Sequence, residues 1–106
     1  MSDFGNELNP AIAGNGDGWL VAWEDVGKFS TPVHILGARV NSQGLVLDDQ
    51  PIRISVGLRD SFQPAIAAGK HDEFLVVDTA LARNGTPRQF LILGQFVSST
   101  EPKKQN

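Results

Sequence analysis

The sequence predicts an all-β chain in which one structural unit is used twice. Three observations carry that reading. The apolar runs are short, rich in Val, Ile and aromatic residues, and bounded by Gly, Asn, Asp and Pro, as strands are. No stretch sustains the i, i+3, i+4 spacing of an amphipathic helix. The chain also repeats itself. Asn9-Pro10-Ala11-Ile12-Ala13 returns as Gln63-Pro64-Ala65-Ile66-Ala67 at an offset of 54. Trp19-Leu20-Val21-Ala22 returns as Phe74-Leu75-Val76-Val77 at 55, and His34 to Val40 returns as Leu91 to Val97 at 57. Three blocks in one order, with an offset that drifts only through loops, mark a duplication.

The elements follow in order. The Pro-Ala-Ile-Ala blocks form the first strand of each unit, beginning at residues 9 and 63. Asn15-Gly16-Asp17-Gly18 then makes a tight turn, because Asn and Gly tolerate the positive φ that hairpin turns demand. Gly69-Lys70-His71-Asp72-Glu73 takes that place in the second unit. The second strand is apolar at odd and even positions alike, from Trp19 to Trp23 and from Phe74 to Val77, so it needs protein on both faces. The two copies differ at one point here, where Trp23 becomes Asp78. Longer loops follow, Glu24 to Val33 and Thr79 to Gln89, holding Thr31-Pro32 and Thr86-Pro87, where proline stops a strand from running on. After the third strand of the first unit, Asn41-Ser42-Gln43-Gly44 turns the chain. Pro51 to Val56 then supplies a fourth strand with Ile52, Ile54 and Val56 on one face. The expected organisation is an N-terminal extension (1–8), a four-stranded unit (9–62), a three-stranded unit (63–97) and a polar, disordered tail (98–106).

Composition narrows the function. A chain of 106 residues, 41% hydrophobic and 20% charged, is the size of one globular domain. With a net charge of −3 and scattered Lys and Arg, it offers no electrostatic footprint for nucleic acid or an anionic membrane. The absence of cysteine excludes disulfides and thiol chemistry. The opening residues lack the basic and apolar regions of a secretion signal, and no apolar run approaches the ~20 residues of a membrane span, so a cytoplasmic location is expected.

The run Pro-Ala-Ile-Ala, turn, Trp-Leu-Val-Ala-Trp-Glu-Asp, loop, Ile-Leu-Gly-Ala-Arg-Val-Asn-Ser-Gln-Gly-Leu-Val-Leu-Asp and Pro-Ile-Arg-Ile-Ser, Pro10 to Ser55, resembles the repeat of bacterial β-propeller proteins that carry it in tandem arrays. The resemblance implies blade-like antiparallel sheets and says little about activity, since blades serve unrelated functions. It also exposes a shortfall. Seven strands are present where two blades need eight, and a propeller closes with about four to eight blades. Homo-oligomerisation is the expected remedy, as in small two-blade lectins that trimerise into a six-bladed ring. The alternative is a monomeric seven-stranded sandwich or barrel.

Candidate chemistry is sparse. Trp23 followed by Glu24 and Asp25 places an indole beside two carboxylates at an expected loop mouth, where a sugar ring could stack and its hydroxyls be bonded; Trp19 is a second such platform. The alternative is a structural Trp at a solvated strand end. His71-Asp72-Glu73 are adjacent on a tight turn and diverge rather than converge on a metal ion. His34 heads a strand without a local partner, and Asp48-Asp49 read as a turn. Asn15-Gly16-Asp17-Gly18 lacks the downstream Glu of a calcium loop, and with Gly14 it makes no dinucleotide fingerprint. No Gly-x-Ser-x-Gly motif or P-loop is present. No catalytic residues and no cofactor are therefore assigned. The expectation is a non-catalytic binding module for a protein ligand, the alternatives being a carbohydrate-binding protein using Trp19, Trp23, Glu24 and Asp25, or an enzyme or metal site formed between subunits from His71, Asp72 or Glu24.

Overall fold

A computed structural model of the chain describes residues 5–27, 32–56, 59–70, 72–82 and 89–99. His71, the Thr86-Pro87 pair and the tail beyond Ser99 lie outside these residues. Seven strands occur among them: β1 (Gly5–Gly14), β2 (Gly18–Gly27), β3 (His34–Asn41), β4 (Ile52–Arg53), β5 (Asp60–Ala68), β6 (Glu73–Ala82) and β7 (Gln89–Ser98). The first four form one antiparallel sheet in the order β1-β2-β3-β4, and the last three form a second in the order β5-β6-β7. The protein is all-β, and neither sheet closes into a barrel.

The two sheets share a register. Ala11 pairs with Ala22 and Ala22 with Gly37, while Ala65 pairs with Val77 and Val77 with Gly94. These partners stand at the offsets of 54, 55 and 57 read from the sequence. Both outer strands also bulge at one place. The pairing slips between Leu8 and Ala11 and again between Phe62 and Ala65. Asn9 and Gln63 take the positive φ there, 52° and 55°. Pro10 and Pro64 sit in the bulge, where the ladder does not call for the N–H that proline lacks.

Strands run further than the sequence led us to expect. β1 starts at Gly5 and β5 at Asp60, ahead of the Pro-Ala-Ile-Ala blocks, because each bulge lets the strand pass through its proline. β2 continues past Trp23 to Gly27, so Glu24 and Asp25 are paired strand residues and not a loop mouth: they face Leu8 and Glu7 on one side, Ile35 and His34 on the other. The fourth strand, by contrast, shrinks to Ile52–Arg53. Ile54 is buried beyond it and Val56 is exposed.

The turns form as their residues dictate. Asn15 Oδ1 accepts from the amides of Asp17 and Gly18 at 2.9 and 3.0 Å, with Gly16 at φ 93°. Asn41 Oδ1 accepts from Gln43 and Leu45, with Gly44 at φ 85°. In each case a short polar side chain substitutes for a backbone acceptor.

One core lies between the sheets. Leu20, Ala22, Ile35 and Ile54 of the first sheet meet Phe74 and Val76 of the second, with Ala13, Ile52, Ile66 and Val97 around them. Polar ties fasten the rim. Val33 donates its amide to Asp60 Oδ1 at 2.8 Å and accepts from the Ser61 amide at 2.9 Å. Arg39 Nη1 reaches the Ser98 carbonyl at 3.5 Å. The Ser55 hydroxyl accepts from the Ile35 amide at 2.9 Å, holding the segment after β4 against β3.

Candidate functional site

The period of two along β2 sorts the sequence candidates. Trp19, Trp23 and Asp25 stand on one face of the first sheet, which we call its outer face; Leu20, Ala22 and Glu24 stand on the inner one. Glu24 is therefore separated from the other three. It is buried, and its Oε2 accepts from Asn9 Nδ2 and from the Gln63 amide, both at 2.8 Å. Those donors are the two bulge residues, one from each sheet. Glu24 is thus a clasp between the sheets. Buried and bonded across the two sheets, this carboxylate does not line the groove or the cleft that the other three border.

Trp23 and Asp25 line a groove of about 840 Å³ on the outer face, with Val21, Leu36, Ala38 and Val40 as its floor and Glu7, Asp48, Asp49 and Pro51 at its rim. The Trp23 indole nitrogen is buried without a hydrogen-bond partner among the described residues. Asp48 is committed to Arg39. Its Oδ2 accepts from the Arg39 amide at 2.8 Å and from Nε at 3.0 Å, and its Oδ1 accepts from Nη2. The Arg39 hydrogen bonds hold the Asp48 carboxyl below its ordinary pKa against the opposing effect of burial. The free acids of this groove are consequently Glu7, Asp25 and Asp49.

Trp19 lies elsewhere on the same face, four residues or about 13 Å along the strand. It borders a smaller cleft of about 300 Å³ between the ends of the two sheets, lined also by Asn15, Asp17 and Asn41 of the first and by Asp72 and Ser99 of the second. The cleft joins one aromatic face to two carboxylates and two amides. Such a set can stack a sugar ring and accept or donate to its hydroxyls. Sequence reasoning assigned Trp19 and missed its neighbours, because the β1–β2 and β5–β6 turns meet only when the sheets pack.

The remaining candidates resolve individually. His34 pairs with Asp25 across β2 and β3, and its Nδ1 is buried without a hydrogen-bond partner among the described residues. Burial, then the charge of Arg53, push its pKa down, against the pull of Asp25 and Asp60. Asp78 is buried on the inner face of the second sheet, its Oδ1 without a partner among the described residues. Its pKa is raised by burial, against a hydrogen bond from Ser61. Among the described residues, no group of three or more His, Asp or Glu is placed to hold a metal ion, and no helix is long and apolar enough to cross a membrane.

No family model, no curated protein and no solved structure matches the chain.

Proposed function

We propose that the chain is a non-catalytic interaction module: an oligomeric, β-propeller-like scaffold that presents its grooves and turns to a partner. The observation that carries this is the second apolar face on each sheet, left uncovered within one chain. On the first sheet Ile12 and Trp19 are exposed and Val21, Trp23 and Leu36 beside them are half-buried; on the second, Phe90, Ile92 and Phe96 are each about two thirds exposed or more, at 69, 72 and 69%. Apolar surface so concentrated marks an interaction surface. The blade resemblance of Pro10 to Ser55 supports the same reading, since a blade is a sheet with neighbours on both sides. Light scattering on the purified chain at micromolar concentration tests it. A mass of several chains is expected, and a monomer overturns the scaffold.

The Trp19 cleft favours a second reading, in which the ligand is a carbohydrate. Tryptophan fluorescence should then shift on titration with a glycan panel, and Trp19→Phe should abolish the response. A panel without effect on the unaltered protein removes this reading and leaves the scaffold in place.

A further inference from the structure

Register and burial together say more than that two faces are free. In the shared register, Leu20 corresponds to Leu75, Ala22 to Val77 and Ile35 to Ile92. The core of the second sheet, however, is built from Phe74 and Val76, which correspond to Trp19 and Val21. The sheets therefore do not bury the same side. The first uses one face, the second uses the opposite one, and the chain has two unlike ends. Each free face is the counterpart of a face that is buried within the same molecule.

We infer that a second copy of this chain docks the outer face of its first sheet onto the free face of β5-β6-β7, head to tail, repeating between chains the packing that joins the two sheets within one. This rests on the oligomeric reading above and specifies its geometry. Ile35 is fully buried in the internal interface, and its counterpart Ile92 is 72% exposed. Ile66 packs against the internal core, and its counterpart Ile12 is 63% exposed. Both are apolar side chains standing in water at positions that the internal interface covers.

At three pairs of counterparts the charge lies on the buried face and not on the free one. The buried faces carry Glu24, Arg39 and Asp78, each held by a hydrogen bond. The free faces carry Thr79, Phe96 and Trp23 at those positions. At these three positions a docked surface avoids the cost of desolvating charge; Glu7 and Asp25, on the outer face at the counterparts of Ser61 and Ala80, run the other way and require polar partners from the docked chain. Since the two docking faces differ, the contact is heterologous and either closes a ring or continues as a filament. Rings of about four to eight blades correspond to roughly two to four chains.

The test uses two charge substitutions, one on each face. Ile92→Glu blocks the free face of the second sheet, and Ile12→Glu blocks the outer face of the first. Each variant alone should fall to the mass of one chain while its circular dichroism stays that of the unaltered protein. Mixed at equal concentration, they should form a complex of two chains and no larger, because one compatible pair of faces remains and both ends are then capped. Phe96→Glu serves in place of Ile92→Glu if the latter does not fold. If Ile12→Glu keeps the mass of the unaltered protein, the contact is not head to tail and the inference fails, with the scaffold still standing. A mixture that remains monomeric also overturns it. A monomeric unaltered protein sinks both readings.

Discussion

Gly37 and Gly94 hold the same register position in the two sheets, facing Ala22 and Val77, yet they meet different surroundings. A Cβ added at Gly37 would come within 2.6 Å of Ile54 Cδ1 and 2.8 Å of the Val21 carbonyl, so only glycine lets the segment after β4 lie across β3. A Cβ at Gly94 would find nothing nearer than the side chains of Leu75 and Val77 at 3.5 Å, an ordinary contact. The same residue is thus a packing requirement in the first sheet and a bare position in the second. Strand register and burial are therefore separable. Local sequence sets which residues lie opposite one another, and the layer above decides which of them matter.

The largest contrast between the two sheets is expected at Leu20 and Leu75. Truncating Leu20, which is fully buried, to alanine should cost about 2–5 kcal/mol of the stability of the folded chain. Leu75→Ala, on the free face, should cost far less in the monomeric Ile12→Glu background, where no second chain covers it. Urea unfolding at one fixed protein concentration measures both, because any association contributes to apparent stability. Equal losses would mean that the two faces of the second sheet are not as different as their burial.

The clasp comes next. Glu24→Ala should cost about 1.5–3 kcal/mol, since Asn9 and the Gln63 amide lose a charged acceptor. Thr79→Ala, at the corresponding position, should fall within about 0.5 kcal/mol of the unaltered chain in the same monomeric background. The glycine pair should show a similar contrast at smaller amplitude. Gly37→Ala is expected to destabilise by about 1–3 kcal/mol through overpacking against Ile54, and Gly94→Ala to have little effect.

The smallest effect is a pH dependence with opposite signs at two aspartates. The Asp48 pKa is lowered in the folded chain, so the stability it contributes is present above the ordinary aspartate pKa and is lost as pH falls through the folded value. The Asp78 pKa is raised, so the fold binds its proton more tightly than the unfolded chain does, and stability declines as pH rises from the ordinary value through the folded one. Asp78→Asn should remove that decline and leave the Asp48 limb intact. An unfolding profile against pH that is identical in the variant would show that Asp78 is not desolvated in the folded chain.

Much of this architecture is legible in the residues. The seven strands, the Asn15 to Gly18 turn and the register offsets follow from short apolar runs, turn residues and the internal repeat. The end of β2 does not. Glu24-Asp25 has the composition of a loop, and it lies inside a strand because Glu24 finds the Gln63 amide 39 positions away. The Arg39–Asp48 pair escaped for a related reason: Asp48-Asp49 has the look of a turn, and only the return of the chain over β3 brings an arginine to it. Of the binding candidates, the sequence grouped Trp19, Trp23, Glu24 and Asp25 as one set; Glu24 separates from the other three only because β2 runs on past Trp23 and its alternation carries through. The partners of Trp19 were not foreseeable, because they come from a turn in the other sheet.

By itself the sequence determined where the strands and turns lie and which positions of the two copies correspond, since a strand's alternation and its turns act over a few neighbouring positions. Only the packing of the sheets decided that the first buries Leu20 and Ile35 while the second buries Phe74 and Val76, leaving Leu75 and Ile92 outside. The physical reason is that β2 and β6 are apolar on both faces. Hydrophobic patterning in such a strand states that each face is to be covered and is silent about which neighbour covers it.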